Sequence, residues 1–305
     1  MTDSLRIVTV FGATGLQGGA VVNALLQDGT FVPRAISRNP DSEASQKLKA
    51  RGIQVVKGDI EDKAGLVDAL KGSEAVFAVT LPLLSRAGKG PSELELGKNL
   101  VDAAKEADVK FFVWSSLPSI SKISGGKYKN VVHYEEKEAI REYLSASGLP
   151  HASLLLSGFL EDLYRAPFLN KSDAGYAVYY PIFTPTDIES FIWVSRDVPA
   201  AVLALLRNYT DPAKEVNGKA YPVVTGTVSC GELCQMASKA LGQEVAFQTL
   251  PPTEHVAYNE MIMAHAEHKG LFTATPVPNP DLTALGMKFS TIEEFMETEL
   301  KKRFV

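Results

Sequence analysis

Short apolar runs alternate with longer amphipathic stretches through the first half of the chain. The β-branched run at 6–11 ends in glycines, and the apolar side chains of 20–26 that follow it have helical spacing. Further apolar runs recur, each separated from the next by a helical stretch, at 31–36, 53–56, 75–79, 111–114 and 152–156. Strands that are apolar throughout and alternate with helices are typical of a parallel sheet covered on both faces. The pattern therefore predicts an α/β fold built on a doubly wound parallel sheet.

The pattern loosens in the second half, where prolines interrupt shorter elements of mixed type. These prolines are Pro167, Pro181, Pro185, Pro199 and Pro212. We therefore expect the doubly wound domain to span 1–157 and a smaller α+β lobe to span 158–305, with strands and helices of the lobe returning to the first domain.

Three late helices can be placed from their first residues. Ser229 with Glu232, and Ser290 with Glu293, fit the capping box, in which a hydroxyl and a carboxylate satisfy the first free amides of a helix. The segment 197–199, Asp-Val-Pro, predicts the start of another helix, because proline is tolerated near a first helical turn.

A glycine-rich turn joins the first strand to the first helix. Gly12, Gly15 and Gly18 have the spacing G-x-x-G-x-x-G in that context. We expect Gly12 and Gly15 to adopt backbone angles barred to other residues, and Gly18 to let the helix pack closely on the sheet. The helix N-terminus then offers amides and a positive dipole end to a pyrophosphate. A turn that merely connects strand to helix is the alternative, but the surrounding repeat favours a dinucleotide-binding Rossmann domain.

The end of the second strand indicates which dinucleotide is preferred. It carries Ser37, Arg38 and Asn39, with no carboxylate to bind an adenosine ribose or to repel a 2′-phosphate. Arg38 offers a planar guanidinium suited to a phosphate, although a solvated surface arginine would have the same sequence. The segment therefore predicts that NADP(H) is favoured over NAD(H).

Two further strand ends carry candidate cofactor contacts. Asp59 follows the third strand, where its carboxylate can accept from an adenine amino group, although a plain strand-end turn is nearly as consistent. Thr80 follows the fourth strand at the carboxyl edge, where ligands of open α/β sheets lie. Its selection rests on position alone.

Charge and hydropathy exclude several classes of partner. The 36 acidic residues exceed the 31 basic ones, and no basic cluster stands out, so direct binding to nucleic acid is not expected. No apolar stretch has the length of a signal peptide or of a membrane span. We expect a soluble protein of the cytoplasm, with the nucleus open as a second location.

Neither the cysteines nor the clustered histidines predict a metal site. Cys230 and Cys234 are four residues apart on one predicted helix, where a disulfide is geometrically awkward, and we interpret them as buried thiols. The remaining candidates form no coherent ligand set and are interpreted as solvated helix faces: Glu254, His255, His265 and His268.

Taken together, five segments resemble the NmrA-like family, a branch of the atypical short-chain dehydrogenases/reductases. They are 11–19 (FGATGLQGG), 37–40 (SRNP), 56–59 (VKGD), 79–80 (VT) and 133–137 (HYEEK) followed by Tyr143. The resemblance covers nearly the whole chain and implies the same fold. One departure is Glu95, at a helical position where some members carry a lysine.

The resemblance also implies a set of cofactor contacts between residues 12 and 162. They are Gly12, Thr14, Gly15, Leu16, Gln17, Arg38 with Asn39 beside it, Asp59, Thr80, Lys137, Phe159, Leu160, Glu161 and Asp162.

Typical short-chain reductases use a Tyr-x-x-x-Lys pair for acid/base work, and this chain departs from it. His133 stands four residues before Lys137, and helical residues four apart share a face. Tyr134 lies one position away and is turned off that face. His133 can therefore act as a proton donor, or it is only a polar residue above the cofactor, and Lys137 is a cofactor contact or an exposed lysine. Ser115 and Ser116 can orient a substrate carbonyl or simply belong to a turn.

Two functional classes follow from these alternatives. The first is an NADPH-dependent reductase of a small carbonyl, quinone or enone, with a proton from His133, Lys137 or water. The second, which the family resemblance implies, is a redox sensor whose cofactor occupancy changes its affinity for a protein such as a transcription factor. The sequence leaves the substrate, the partner and the oligomeric state open.

Overall fold

The structure, a computed structural model, describes residues 5–82, 90–166, 168–172 and 175–305, so that Pro167 lies outside the described residues. Seven strands form the main sheet, and every pair of neighbours is parallel. From one edge to the other they are β11 (Ala220–Val223), β6 (His151–Leu156), β5 (Phe111–Ser116), β4 (Ala75–Ala78), β1 (Ile7–Val10), β2 (Val32–Ser37) and β3 (Gln54–Lys57). The strand order reverses between β1 and β4, which confirms the predicted doubly wound sheet.

Helices cover both faces of this sheet because its strands are apolar on both sides. In β5, Phe111 and Val113 contribute to one core and Phe112 and Trp114 to the other, as alternate residues of a strand do. The first core is covered by α1 (Leu16–Asp28), α2 (Glu43–Ala50) and α8 (Val194–Asn208). The second is covered by α3 (Lys63–Leu70), α4 (Glu93–Glu106) and α6 (Val132–Ala146), and the short α5 (Ile120–Ile123) precedes α6.

The second half of the chain adds two small sheets and several short helices. One sheet consists of β7 (Gly158–Phe159), β10 (Ile188–Ile192) and β12 (Gly226–Ser229), and the other of β8 (Leu169–Ser172), β9 (Gly175–Pro181) and β13 (Val245–Leu250). The helices are α7 (Asp162–Arg165), the 3-10 turn Pro212–Lys214, α9 (Cys230–Leu241), α10 (Val256–Glu267), α11 (Pro280–Ala284), and α12 (Ile292–Phe295), which continues through the π-helical turn Met296–Leu300 into α13 (Lys301–Phe304). Among the described residues, no helix has the length and apolar character needed to cross a membrane.

The two halves of the sequence share the main sheet. Strand β11 pairs with β6, and α8 packs against α1 in the same apolar core as β1 and β5. Residues Leu282 and Met287 also belong to that core. Both halves therefore contribute to the core under the main sheet, while residues of the second half, between Leu160 and Leu300, also form an apolar core of their own.

Helix α8 begins earlier than expected. Its first residue is Val194, so Pro199 lies inside the helix and the segment at 197–199 does not open it. The start is set by Glu161, whose carboxylate accepts hydrogen bonds from the amides of Val194 and Ser195 at 3.1 and 2.8 Å. Asp197 faces inward instead and is fully buried.

One of the two predicted capping boxes is shifted by one residue. Ser229 and Glu232 form the predicted box at the start of α9, which is confirmed. At the start of α12 the box is formed by Thr291 and Glu294 rather than by Ser290 and Glu293. The reason is that the Ser290 hydroxyl donates to the buried carboxylate of Asp197 at 2.8 Å and is not available to cap the helix.

The two cysteines are buried and free, as predicted. Both lie on α9, and burial raises the pKa of Cys230 to about 12 and that of Cys234 to about 11. Thiols with such high pKa values carry almost no thiolate at neutral pH, so neither cysteine is an activated nucleophile.

Candidate functional site

The turn between β1 and α1 has the backbone that the glycine spacing predicts at two of its three positions. Gly12 has a φ of +65°, which favours glycine, and a Cβ on Gly18 would lie 2.3 Å from the Gly12 carbonyl oxygen. Gly15 has a φ of −92°, an ordinary value, so the expectation that it needs a barred backbone angle is wrong. Gly15 is instead the N-cap residue of α1, where it lacks a side chain that could cover the helix end.

The N-terminus of α1 is open to an anion. No side chain among the described residues caps it, and its first turn contains no acidic residue. The first amides of a helix have no partner within the helix, and a phosphate at this position satisfies them and the helix dipole. The turn and its uncapped helix therefore fit a dinucleotide pyrophosphate.

Arg38 is free at the end of β2. It is exposed, and its guanidinium forms no hydrogen bond or ion pair with any residue in the described ranges. Its neighbours shape the turn that holds it: the Ser37 hydroxyl is 2.9 Å from that of Ser45, and the Asn39 side chain accepts from the amide of Asp41 at 3.1 Å. Arg38 is thus available to an anion at this edge of the sheet.

Asp59 has a structural partner at the end of β3. Its carboxylate accepts from the amide of Glu61 at 3.1 Å, which makes a turn that leads into α3. The side chain is half-buried. The strand-end turn that the sequence allowed is therefore present, and an adenine contact would have to coexist with it.

Lys137 is the centre of a buried polar cluster. Its ammonium lies 2.7 Å from Oε1 of Glu93 and 3.2 Å from both the hydroxyl and the carbonyl oxygen of Thr80. The Thr80 hydroxyl also donates to Glu93. Glu93 is fully buried, and its second carboxylate oxygen has no hydrogen-bond partner among the described residues. Burial lowers the pKa of Lys137, and the negative charge of Glu93 opposes that shift.

The main chain of Lys137 is also fixed. Trp114 Nε1 and the Ser116 hydroxyl both donate to its carbonyl oxygen at 3.2 Å. The hydroxyl of Ser115 donates to the Gln17 side chain at 2.6 Å. Both serines are therefore buried and engaged within the protein, which argues against the alternative that they orient a substrate carbonyl.

His133 lies one helical turn before Lys137 on α6. It is half-buried, and its ring forms no hydrogen bond with any residue that the structure describes. Burial lowers the pKa of His133, the positive charge of Lys137 lowers it further, and Glu93 opposes both effects. Tyr134 points elsewhere, as the helical geometry predicts, and its hydroxyl lies 3.0 Å from Nε2 of His265. The Tyr134 hydroxyl thus does not take the place that tyrosine has in typical short-chain reductases.

The segment after β7 presents few side chains to a ligand. Leu160 and Glu161 are fully buried, and Glu161 caps α8, so a cofactor contact from either would have to come from the main chain. Phe159 and Asp162 are half-buried. Burial, and then the nearby charge of Glu161, raise the pKa of Asp162 to about 6.

These groups follow one edge of the main sheet. Because β4, β1 and β2 are neighbours, Thr80, the glycine turn and Arg38 succeed one another along the carboxyl edge, where the strand order reverses. A Cβ on Gly12 would lie 3.0 Å from the side chain of Val79, which shows how closely the ends of β1 and β4 approach. Lys137 extends the line beyond Thr80. The row thus brings the glycine turn, Arg38, Thr80 and Lys137 to one edge of the sheet, where dinucleotides bind in open α/β folds.

Sequence reasoning missed Glu93 and misjudged His265. Glu95 forms a capping box with Ser92 at the surface, but nothing in the local sequence shows that Glu93, two residues before it, turns inward. His265 was expected on a solvated face, yet it is buried and lies 2.7 Å from Glu189. Its apolar neighbours Ile262 and Ala264 were the available signal of a buried face.

Comparison with known proteins places the chain in a family. The sequence matches the profile of the NmrA-like family over residues 5–296. The chain belongs to the NmrA-like family. One relative, the NmrA-like family domain-containing oxidoreductase lnbB of Aspergillus flavus, is 32% identical over 313 residues, which cover 94% of this chain and 91% of the relative. The family resemblance found in the sequence is therefore confirmed.

Solved structures share the fold at low sequence identity. NmrA, a negative transcriptional regulator in complex with NADP, superimposes with a TM-score of 0.79 at 20% identity, over 99% of this chain and 97% of NmrA. The NADPH-dependent quinone oxidoreductase QOR2 of Escherichia coli, in complex with NADPH, gives 0.71 at 22% identity, over 95% and 98% of the two chains. One of these neighbours is a regulator and the other an enzyme, so the shared fold does not separate the two functional classes.

Proposed function

We propose that this protein binds NADP(H) along the carboxyl edge of the main sheet and reduces a small carbonyl, quinone or enone. The observation that carries the proposal is the row of groups on that edge. One end of the row has two groups that are free to bind an anion, namely the uncapped start of α1 and Arg38. The other end has His133 and Lys137. The relative lnbB, named an oxidoreductase, and QOR2, crystallised with NADPH, support this assignment.

The residues that would hold the cofactor divide along its length. The glycine turn with Thr14, Leu16 and Gln17 would hold the pyrophosphate. Arg38 would hold the 2′-phosphate, with Asn39 and Asp59 near the adenosine. Thr80 and Lys137 would contact the nicotinamide half, together with the 159–162 segment. When bound, the dinucleotide supplies a hydride, and the chain supplies the rest of the chemistry.

His133 is suited to donate the proton that a reduced carbonyl or quinone oxygen needs. Its ring has no protein partner in the described residues, and its lowered pKa makes its protonated form a stronger acid than an ordinary histidine. Lys137 is too firmly held to move far, because its three N–H groups face Glu93 and Thr80. We assign Lys137 a positioning and electrostatic role at the nicotinamide half.

A non-catalytic redox sensor is the second candidate, and two observations favour it. Tyr134, the tyrosine of α6 that lies within one turn of Lys137, has its hydroxyl against His265. The Lys137 ammonium already donates to protein acceptors, Glu93 and Thr80. A sensor needs cofactor binding but no proton donor. NmrA, which is a transcriptional regulator, has the same fold.

Single-turnover oxidation of NADPH by a panel of quinones, aldehydes and enones separates the two candidates. For a reductase, His133→Phe slows oxidation about a hundredfold, the usual scale for loss of a general acid. His255→Phe, at an exposed histidine outside the row, is the matched control and leaves the rate unchanged. For a sensor, NADPH binds in calorimetry but no compound of the panel oxidises it above background. Rapid oxidation that is indifferent to His133 would contradict the role given to this residue.

A further inference from the structure

Three buried polar side chains form a hydrogen-bonded line behind the proposed site. The Tyr134 hydroxyl lies 3.0 Å from Nε2 of His265, and Nδ1 of His265 lies 2.7 Å from Oε2 of Glu189. Their exposed fractions are 7%, 5% and 4%. The proposed reduction does not use any of these three groups.

Within the described ranges, the Tyr134 hydroxyl has one hydrogen-bond partner, His265. The ring of Tyr134 lies in an apolar cluster that includes Val131, Ala264 and Leu271. When Nδ1 of His265 donates to the Glu189 oxygen, Nε2 is left to accept from the tyrosine hydroxyl. A buried hydroxyl without a hydrogen bond is costly, so this contact selects one placement of the Tyr134 side chain.

The line also joins three elements from distant parts of the sequence. Tyr134 is on α6, His265 is on α10 and Glu189 is on β10. The other oxygen of Glu189 accepts from the amide of Ser190 at 2.7 Å. The turn after α10 packs against the same strand, because a Cβ on Gly270 would lie 2.3 Å from the Ser190 nitrogen. Helix α10 is therefore a fixed support for Tyr134 rather than a loose cover.

We propose that Tyr134, His265 and Glu189, the tyrosine anchor, position the first turns of α6 so that His133 and Lys137 face the carboxyl edge. Successive helical residues point about 100° apart, so a fixed direction for Tyr134 also fixes the directions of its neighbours on α6. In this protein the tyrosine next to the lysine acts through the helix and does not itself reach the reacting atoms. The inference rests on the proposed function because it assigns His133 and Lys137 to the cofactor.

Two ligands test the anchor on the intact protein. NADPH is expected to reach His133 and Lys137, whereas 2′,5′-ADP contains only the adenosine half and is expected to reach no further than the glycine turn. We expect Tyr134→Phe to raise the Kd for NADPH about fivefold to tenfold and to leave the Kd for 2′,5′-ADP within twofold. Tyr128→Phe is the matched control, because its hydroxyl also bonds α10, through Glu267, but lies outside α6. It should change neither Kd.

Two substitutions of His265 test its contact with Tyr134 separately from its contact with Glu189. His265→Asn keeps a donor near Glu189 and loses the contact with Tyr134, so it should match Tyr134→Phe, and the double variant should be no worse than either single one. His265→Gln places an amide near the Nε2 position and should rescue most of the NADPH affinity. Additive losses, or equal losses for NADPH and 2′,5′-ADP, would overturn the anchor as a positioning device.

Hydrogen exchange of the α6 amides tests the anchor without a cofactor. Tyr134→Phe should speed exchange about tenfold in the first turns of α6 and leave the amides of β5 unchanged. If wild-type protein does not bind NADPH, the proposed function fails, and this measurement alone decides the anchor. Faster exchange confined to α6 supports it, and unchanged exchange overturns it.

Discussion

The ammonium of Lys137 and the carboxylate of Glu93 form a buried ion pair 2.7 Å apart at the carboxyl edge of the main sheet. Glu93 is fully buried and Lys137 nearly so, and Thr80 bonds both. In typical short-chain reductases the lysine charge acts on a tyrosine. Here a counter-charge neutralises it, which explains how a lysine can be buried at this position without a tyrosine.

Glu93→Gln should destabilise the protein by about 3 kcal/mol at neutral pH, because it leaves the Lys137 charge buried and unpaired. The deficit should shrink toward alkaline pH, since a lysine whose folded pKa is lowered loses its proton first in the folded state, and stability then rises with pH. Urea unfolding at several pH values measures the free energy of unfolding of both proteins. The double variant Glu93→Gln with Lys137→Met should be more stable than Glu93→Gln alone, and a double variant of equal or lower stability would contradict the pairing.

Arg38→Ala should weaken NADPH binding by about 1.5–3 kcal/mol, or tenfold to a hundredfold, and leave NADH binding nearly unchanged. The reason is that only NADPH carries the 2′-phosphate that Arg38 would hold. Calorimetry with both dinucleotides measures the difference. Arg51→Ala, at an exposed arginine that bonds Asn23, is the control and should affect neither. Equal losses for the two dinucleotides would remove Arg38 from the site.

Gly15→Val should lose NADPH binding alone, whereas Gly18→Ala should lose both stability and NADPH binding. Gly15 has an ordinary φ, and a Cβ there would lie 3.3 Å from the Gly12 carbonyl oxygen, so its variant should fold after a small shift of the turn. A branched side chain would nevertheless cover the helix end and abolish NADPH binding. A Cβ on Gly18 would lie 2.3 Å from backbone oxygen, so that variant should lose stability as well as binding. Circular dichroism, thermal unfolding and a binding titration distinguish them. Full NADPH affinity in Gly15→Val would mean that the pyrophosphate lies elsewhere.

Asp162→Asn should raise the Tm of the cofactor-free protein by about 4 °C at pH 7. The pKa of Asp162 is raised to about 6 in the folded protein, so the folded state holds the proton more tightly, and stability falls as the pH rises from about 4 to about 6. Asparagine carries no charge, so the variant does not lose stability in this way as the pH rises. Near pH 4.5 its gain in Tm over the wild type should therefore be about a third of the gain at pH 7. Asp41→Asn, at an exposed carboxylate, should give no such gain. A gain independent of pH would refute this cause.

The sequence predicts the main sheet well because its signals are local. Strands apolar on both sides and the glycine turn before α1 are visible in short windows, and each predicted run from 6–11 to 152–156 overlaps a strand of the main sheet. The start of α8 was misplaced because its cap, Glu161, comes from another part of the chain. The local sequence around Pro199 contains no information about a contact with so distant a residue.

The residues of the site also differ in whether the local sequence predicts them. The turn and Arg38 follow from motif and position, whereas Glu93 and the anchor residues Glu189 and His265 depend on contacts between distant segments. His265 and Glu189 are 76 positions apart in sequence. Periodicity can place a residue on a helix face, but it cannot identify the charge that another element brings to it.

Hydride transfer decides between reductase and sensor, and it can be followed in a single turnover with the quinone and carbonyl panel, using NADPH that carries deuterium in place of both hydrogens at C4 of the nicotinamide. We expect at least one compound to be reduced with a primary isotope effect, and the rate to fall as the pH rises through the lowered pKa of His133. A reduced carbonyl should carry the deuterium on carbon, whereas a label delivered to a quinone oxygen should exchange from the new hydroxyl. Tight binding of NADPH with no oxidation by any compound of the panel would contradict the proposed reductase activity and leave the sensor as the function.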